Sequence, residues 1–226
     1  MSSSAPHDPN GVWCIVVAGG SGRRWGGPKQ FEQLAGERVV DRSVRVAASV
    51  CEGVVLVLPA GSDDVAVPGA TATVAGGATR SASVRAGLAA VPAEAEVVLV
   101  HDAARPLASD QLFRDVVGVV RGGAAAAVPA VPVTDTIRSV DGGVVDRDLL
   151  RAVQTPQGFA ADVLRAVHRD EPEGTDDAGL VEAAGHRVEL VAGERRNLKL
   201  TEPDDRIVAE ALLAAVDPDT TRTPDS

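Results

Sequence analysis

Short apolar runs alternate with amphipathic stretches along most of the chain. Val12–Ala18 is continuously apolar and runs into glycines, which predicts a strand buried on both faces. Val39–Val50 sets Val40, Val44 and Ala47 or Ala48 on one face at helical spacing, and Val54–Leu58 is another buried-type strand stopped by Pro59. The alternation continues with a strand over Thr71–Ala75, a helix over Ser81–Ala90, a strand over Val97–His101, a helix over Asp110–Val120 and an alanine-rich strand over Ala124–Ala130. Strands and helices taking turns in this way predict an α/β fold, a mostly parallel sheet with helices on both faces.

The alternation breaks at Val131–Val153. Two β-rich pieces flank Asp141-Gly142-Gly143, a hairpin signal, and the segment reads as an arm projecting from the sheet. Beyond it the pattern predicts helices near Ala161–His168 and Asp177–Ala184, a strand over Arg187–Val191 and a last helix over Pro203–Ala215. Residues 1–11 and 217–226 are polar, proline-rich and poor in hydrophobes, and are expected to be loose tails around one domain spanning 12–216.

At 226 residues the chain can bury a core without a disulfide or metal staple. Aromatic residues make up only 2%, with no Tyr, so that core must be built from Val, Ala and Leu, and base stacking on aromatic platforms is not available to it. Acidic residues number 32 against 22 basic, a formal charge of −10, which repels nucleic acid and anionic membranes. Any anionic ligand therefore needs a local basic pocket. Cys14 and Cys51 match no metal spacing and read as small buried hydrophobes. With no basic-then-apolar leader and no run of about 18 apolar residues, a soluble cytoplasmic protein is expected.

That basic pocket has a candidate directly after the first strand, in Ala18-Gly19-Gly20-Ser21-Gly22-Arg23-Arg24-Trp25-Gly26-Gly27-Pro28-Lys29-Gln30-Phe31. Glycines let a backbone approach an anion closely and turn its N–H groups toward phosphate oxygens. Two common fingerprints fail here. The dinucleotide pattern from Gly20 would need glycine at 25, where Trp25 stands, and the P-loop spacing from Gly22 reaches Gly27 but then meets Pro28 instead of lysine. Arg23, Arg24 and Lys29 supply more cation than a simple phosphate cradle requires.

With its P-K-Q-F ending, this loop resembles the signature of nucleotidyltransferases that activate sugar or polyol phosphates, in their cytidylyltransferase branch. Five further segments follow in order: Val100–Pro106, Pro132–Ile137, Gln154–Phe159, Thr175–Ala178, and Asn197–Thr201 with Pro203–Asp205. Together they resemble the 2-C-methyl-D-erythritol 4-phosphate cytidylyltransferase family of the non-mevalonate isoprenoid pathway, from about Val12 to Leu213. The resemblance implies a Rossmann-like core, a homodimer joined through the arm, CTP as co-substrate and Mg²⁺ as cofactor. Attack by the polyol phosphate on the α-phosphorus of CTP needs no covalent enzyme intermediate, so the protein's work is positioning and charge stabilisation.

By the same resemblance Arg24, Lys29 and Lys199 are the catalytic cations around the α-phosphate. Ala18, Gly19, Gly20, Gly22, Gly77, Ser83, Asp102 and Ala103 bind the nucleotide, with Asp102 also the Mg²⁺ ligand. Arg105, Thr136, Arg147, Thr155 and Thr175 contact the polyol phosphate, Thr136 and Arg147 from a partner's arm. Plainer readings stand beside these: Lys199 as a solvated strand-end lysine, Asp102 as a helix cap, Arg147 in a surface ion pair with Asp146 or Asp148. His101 reads as a buried strand-end residue rather than a base. Arg105 either touches phosphate or pins its loop.

The chain departs from the family pattern at Trp25, which replaces the usual Met, at Gly19, at Ala78 where an acidic or amide residue is common, and in a loop between Arg24 and Pro28 about three residues shorter. Two alternatives share the nucleotide motifs: a ribitol-5-phosphate cytidylyltransferase, toward which Gly19-Gly20 leans, and a non-catalytic CTP-binding protein, which has no need of the cations present.

Overall fold

The computed structural model describes residues 8–20, 22, 24–62 and 65–215. The elements run β1 (Val12–Val17), β2 (Gln33–Leu34), β3 (Glu37–Arg38), α1 (Val39–Ala48), β4 (Gly53–Leu58), β5 (Ala72–Ala75), α2 (Arg80–Ala89), β6 (Val97–Asp102), α3 (Asp110–Arg121) and β7 (Ala126–Pro132). They continue with β8 (Ile137–Arg138), β9 (Val144–Val145), β10 (Arg151–Val153), β11 (Gln157–Ala160), α4 (Ala161–Val167), α5 (Asp177–Ala183), β12 (Val188–Ala192) and α6 (Asp204–Ala214). Each apolar run forms its strand or helix within a residue or two of the expected bounds.

Among the described residues eight strands share one sheet, in the order β10-β7-β11-β6-β1-β4-β5, with β12 also paired to β7. β1 lies between β4 and β6, parallel to both, and β4 pairs parallel with β5. Every position of β4 is buried, as its unbroken Gly-Val-Val-Leu-Val-Leu run requires of a strand covered on both faces. Alternate residues serve opposite faces. Cys14, Val16, Leu56 and Leu99 pack with Val40, Val44, Phe113 and Val116 of α1 and α3. Ile15, Val55, Val57, Val98 and Val100 pack with Val84 and Leu88 of α2, Leu164 of α4 and Val181 of α5. Each such side chain contributes about 1.5–3 kcal/mol by leaving water, so the core holds without aromatic bulk.

A third apolar cluster contains no residue of the large sheet. Leu34, Val39, Leu107, Leu200 and Ala209 are buried together, with Trp25 and Leu198 packed on them. Trp25 thus anchors the glycine-rich loop against α6 and the segment that leads into it.

The arm leaves the sheet after Pro132 and returns at Arg151. Its tip is the β8–β9 hairpin, closed by Ser139 N–H donating to the Gly143 carbonyl at 3.1 Å, with Gly142 and Gly143 both at positive φ. Val140, Val144 and Leu149 stand exposed on it.

Three features differ from expectation. β11 is an additional strand, inserted antiparallel between β6 and β7. β2 and β3 form a small separate hairpin. Of the expected tails, 1–7 and 217–226 lie outside the described residues, but 8–11 are tied down: Gly11 N–H donates to the Glu52 carboxylate, and Arg121 donates to the carbonyls of Asp8 and Asn10. Cys14 and Cys51 are both buried and free, and burial followed by the neighbouring Cys51 pushes the Cys14 thiol well up, which keeps it protonated and unreactive.

Candidate active site

Val17 pairs with Val57 on one side and with Asp102 on the other, so the carboxyl ends of β1, β4 and β6 finish level. The chain runs from β1 to β4 on one side and only later places β6 on the other. Ligands of open parallel sheets collect at the carboxyl edge of such a reversal. A cleft of about 500 Å³ opens there. Its lining includes Ala18, Gly19, Gly20, Arg24 and Lys29 from the glycine-rich loop, Gly77 and Ser83 from the start of α2, Asp102 and Ala103 from the end of β6, and Lys199. Ten of the residues singled out in the sequence thus meet in one place.

The loop keeps its shape through Gly22. Its φ is +61°, and a Cβ there would lie 1.8 Å from the Gly27 carbonyl oxygen, so only glycine fits. The Gly22 carbonyl accepts from the N–H groups of Trp25, Gly26 and Gly27 at 2.9, 3.0 and 3.3 Å. With this tight closure the loop brings Arg24 and Lys29 to the cleft. Gly22 itself shapes the loop and is not part of the cleft lining.

Lys29 is half-buried, and its ammonium donates to the Leu200 carbonyl at 2.5 Å. Burial, then the nearby Lys199 and Arg24 cations, push its pKa below the ordinary 10.5. Lys199 reaches across from the other side to Asp102, Nζ to Oδ2 at 2.6 Å, and Arg80 approaches Oδ1 at 3.5 Å. Burial alone would raise the Asp102 pKa. The Lys199 and Arg80 cations outweigh it and hold the carboxyl at about 2. The cleft therefore concentrates positive charge around one ionised carboxylate, on a protein whose net charge is −10.

On the opposite wall, Thr79 caps α2 by accepting from Ala82 N–H at 3.0 Å, which turns the helix N-terminus toward the cleft. The Ser83 hydroxyl donates to the Thr79 carbonyl at 2.9 Å and accepts from Gly77 N–H at 3.2 Å. It fixes the loop that carries Gly77 and Ala78 into the lining.

Other expected site residues are not among the cleft lining. The Arg105 guanidinium donates to the carbonyls of Asn197 and Val153, at 2.8 and 3.2 Å, and so pins its loop. Thr155 is buried, its hydroxyl accepting from Asp102 N–H at 3.0 Å and lying 3.1 Å from His101 Nδ1, which positions the end of β6 from behind. Thr136 and Arg147 are exposed on the arm, where Arg147 donates to the Thr134 carbonyl at 2.5 Å rather than pairing with an aspartate. Thr175 is exposed beside α5, and the neighbouring Asp176 caps that helix. His101 is fully buried against Phe113, with burial pulling its pKa down to about 4, so it stays neutral and away from the chemistry.

Both the sequence and the fold match known proteins. The family model of 2-C-methyl-D-erythritol 4-phosphate cytidylyltransferase matches residues 12–215. The chain belongs to that family. It is 45% identical to the 2-C-methyl-D-erythritol 4-phosphate cytidylyltransferase of Nocardia farcinica, over 89% of this chain and 94% of the relative. It is 46% identical to that of Frankia casuarinae, over 92% of this chain and 83% of the relative. Among solved structures, the 2-C-methyl-D-erythritol 4-phosphate cytidylyltransferase from Thermus thermophilus superposes with a TM-score of 0.77 at 38% identity, covering 88% of this chain and 97% of that one. Members of this family are cytidylyltransferases, and the mostly parallel sheet with helices on both faces is theirs.

Six other lining residues, Val17, Gln30, Ala78, Thr79, Arg80 and Ala104, were not singled out as site residues in the sequence, and of these Arg80 alone is charged. Arg80 opens α2 and spans two carboxylates, Asp102 and the buried Asp177 at 2.7 Å. Its position as the first residue of a helix at the carboxyl edge was the available signal. Its two partners, far along the chain, were not.

Proposed function

We propose that the chain transfers CMP from CTP to 2-C-methyl-D-erythritol 4-phosphate, forming 4-diphosphocytidyl-2-C-methyl-D-erythritol and releasing pyrophosphate. The supporting observation is the convergence of Arg24, Lys29 and Lys199 with ionised Asp102 in one cleft, in a chain of this family. The backbone of Ala18–Gly20 and Gly77 cradles the nucleotide, and the N-terminus of α2 favours an anion beside it. A phosphate oxygen of the polyol attacks the α-phosphorus in line, and the bond to the pyrophosphate oxygen breaks. Arg24, Lys29 and Lys199 face the charge that grows on the α-phosphate, where fixed cations act with most effect. The Lys199 side chain is 45% exposed and free to swing from Asp102 to phosphate.

The residues present fit Mg²⁺. Asp102 offers one hard, ionised oxygen ligand on the cleft wall, the kind of donor Mg²⁺ combines with phosphate oxygens and water. When bound, the ion would neutralise triphosphate charge, with Asp102 holding it.

We read residues 12–216 as a single nucleotidyltransferase domain that works as a homodimer. Thr136 and Arg147 sit on the arm and not in the cleft lining, and the exposed Val140, Val144 and Leu149 give the arm an apolar surface to bury. A partner's arm would bring the polyol-phosphate contacts, with Arg105, Thr155 and Thr175 supporting that side. The reading carries a cytoplasmic location, where nucleoside triphosphate is at hand; among the described residues no helix is long and apolar enough to cross a membrane.

The test is Mg²⁺-dependent pyrophosphate release from CTP, run in parallel with 2-C-methyl-D-erythritol 4-phosphate and ribitol 5-phosphate. Preference for the first is expected. Preference for the second would move the acceptor to ribitol phosphate and keep the chemistry. A folded protein that binds CTP but turns over neither would overturn the reading.

A further inference from the structure

Behind the cleft wall lies a chain of buried charge that the transfer reaction, as read above, does not use. Asp177 is 0% exposed at the start of α5. One of its oxygens, Oδ2, takes the Arg80 guanidinium at 2.7 Å, and the other, Oδ1, takes His168 Nε2 at 2.9 Å. Because Nε2 faces a carboxylate, the ring proton sits there and His168 donates. Burial alone would raise the Asp177 pKa, but His168 and Arg80 together hold it low, so the carboxylate stays charged. His168 is itself buried, and its second nitrogen, Nδ1, has no hydrogen-bond partner among the described residues. A side chain kept at that place for packing alone would be better apolar, since a buried polar atom without a partner is a standing cost. The imidazole is there for Asp177.

We propose that His168 and Asp177 are positioning residues for cytidylyl transfer, acting through Arg80. His168 locks the Asp177 carboxylate, and Asp177 locks the Arg80 guanidinium against the cleft wall. Arg80 in turn holds the Oδ1 edge of Asp102 while Lys199 holds the Oδ2 edge. When the triphosphate draws Lys199 away, Arg80 is the side-chain cation that remains on the Oδ1 edge, so Asp102 keeps its orientation. A guanidinium anchored at one end by a fully buried carboxylate supplies that fixed geometry, whereas a free arginine would follow Lys199 to the phosphate. Small displacements of such groups cost far more in turnover than in affinity.

The inference rests on the cytidylyl-transfer reading, and the experiment separates the two. Three forms are compared: wild type, His168→Leu, and His168→Gln, whose amide restores a donor near the Nε2 position. One readout is independent of turnover, namely the ¹⁵N resonance of the Arg80 Nη1–H group that donates to Asp177, assigned with Arg80→Lys, and its rate of exchange with solvent. The other is kcat and KM for CTP at a temperature where all three forms are folded. Slow Arg80 exchange is expected in wild type and His168→Gln and fast exchange in His168→Leu. Turnover of His168→Leu should fall by about 10- to 100-fold, with KM for CTP changing much less, and His168→Gln should recover most of it. An unchanged Arg80 signal in His168→Leu overturns the proposal, as does a loosened Arg80 with unchanged kcat. A wild type without pyrophosphate release would overturn the transfer reading and any role in turnover, and the arginine signal would distinguish that failure from failure of the relay.

Discussion

Lys199 Nζ lies 2.6 Å from Asp102 Oδ2, two groups 97 residues apart that meet across the mouth of the cleft. In the proposed transfer, the lysine leaves this carboxylate for the phosphate. Lys199→Ala should lower turnover by about 10²–10³ while the fold persists, because an exposed cation contributes little to stability. The same substitution leaves Asp102 to Arg80 alone, so its carboxyl should titrate above its present value of about 2. Carboxyl-carbon chemical shifts followed against pH check the second outcome without any assay. An unmoved Asp102 titration would mean the pair is not formed in solution.

Lys29 is expected to set the alkaline limit of activity. Its ammonium is half-buried and shares the cleft with Lys199 and Arg24; burial first, and then those two cations, lower its pKa below 10.5. As pH rises, it therefore loses its charge before an ordinary lysine does, and turnover should fall with it. Lys29→Arg keeps a permanent cation. Its pH profile should be lower in height yet extend further into alkali. A limb that stays at the same pH in Lys29→Arg would assign the titration to another group.

Acid should weaken the fold through the end of β6. His101 has a folded-state pKa of about 4 against an ordinary 6.5, so the unfolded chain takes up the proton first. Stability from this residue is complete above pH 6.5, declines as pH falls toward 4 and then levels off, a loss on the order of 3 kcal/mol. Asp102 adds a loss at lower pH, between 3.8 and about 2, as its carboxylate is protonated away from its cations. Urea midpoints at about pH 7, 5.5 and 4.5 would show the decline, and His101→Gln should flatten it. A wild-type midpoint that holds constant over that range would contradict the buried, neutral imidazole.

What the amino-acid pattern revealed of this fold follows from how far each interaction reaches along the chain. β1, β4 and β6 were legible because strands covered on both faces are unbroken apolar runs. β11 was not: Gln-Gly-Phe-Ala is too short to show a period, and a glycine inside a strand weakens its signal. Only the packing explains that glycine, since a Cβ there would come within 2.5 Å of Val116 on α3. The tie between residues 8–11 and Glu52 or Arg121 joins side chains distant in sequence, which local composition cannot register. At the site, family resemblance supplied the cations, and the cleft gathers them. The placement of Thr155 and Arg105 was harder, because a hydroxyl or guanidinium that binds a phosphate and one that ties two loops look alike in a sequence. Arg80 required the fold itself, since its meaning lies in Asp102 and Asp177.

The arm supplies the sharpest test of quaternary structure. Lys29 lines the cleft of its own protomer, whereas Arg147 stands exposed on the arm and is absent from that lining. If a partner's arm completes each site, Lys29→Ala and Arg147→Ala damage the same site from different chains. Each variant alone should be nearly inactive at low polyol phosphate. Unfolded together and refolded at equal amounts, half of the dimers would be mixed, and each mixed dimer would hold one site with both residues intact. About a quarter of the wild-type rate should return, as a two-fold symmetric pair with shared sites requires. A mixture no more active than its components, in a sample shown by sedimentation to be dimeric, would place Arg147 in the service of its own protomer and detach the arm from the shared-site role.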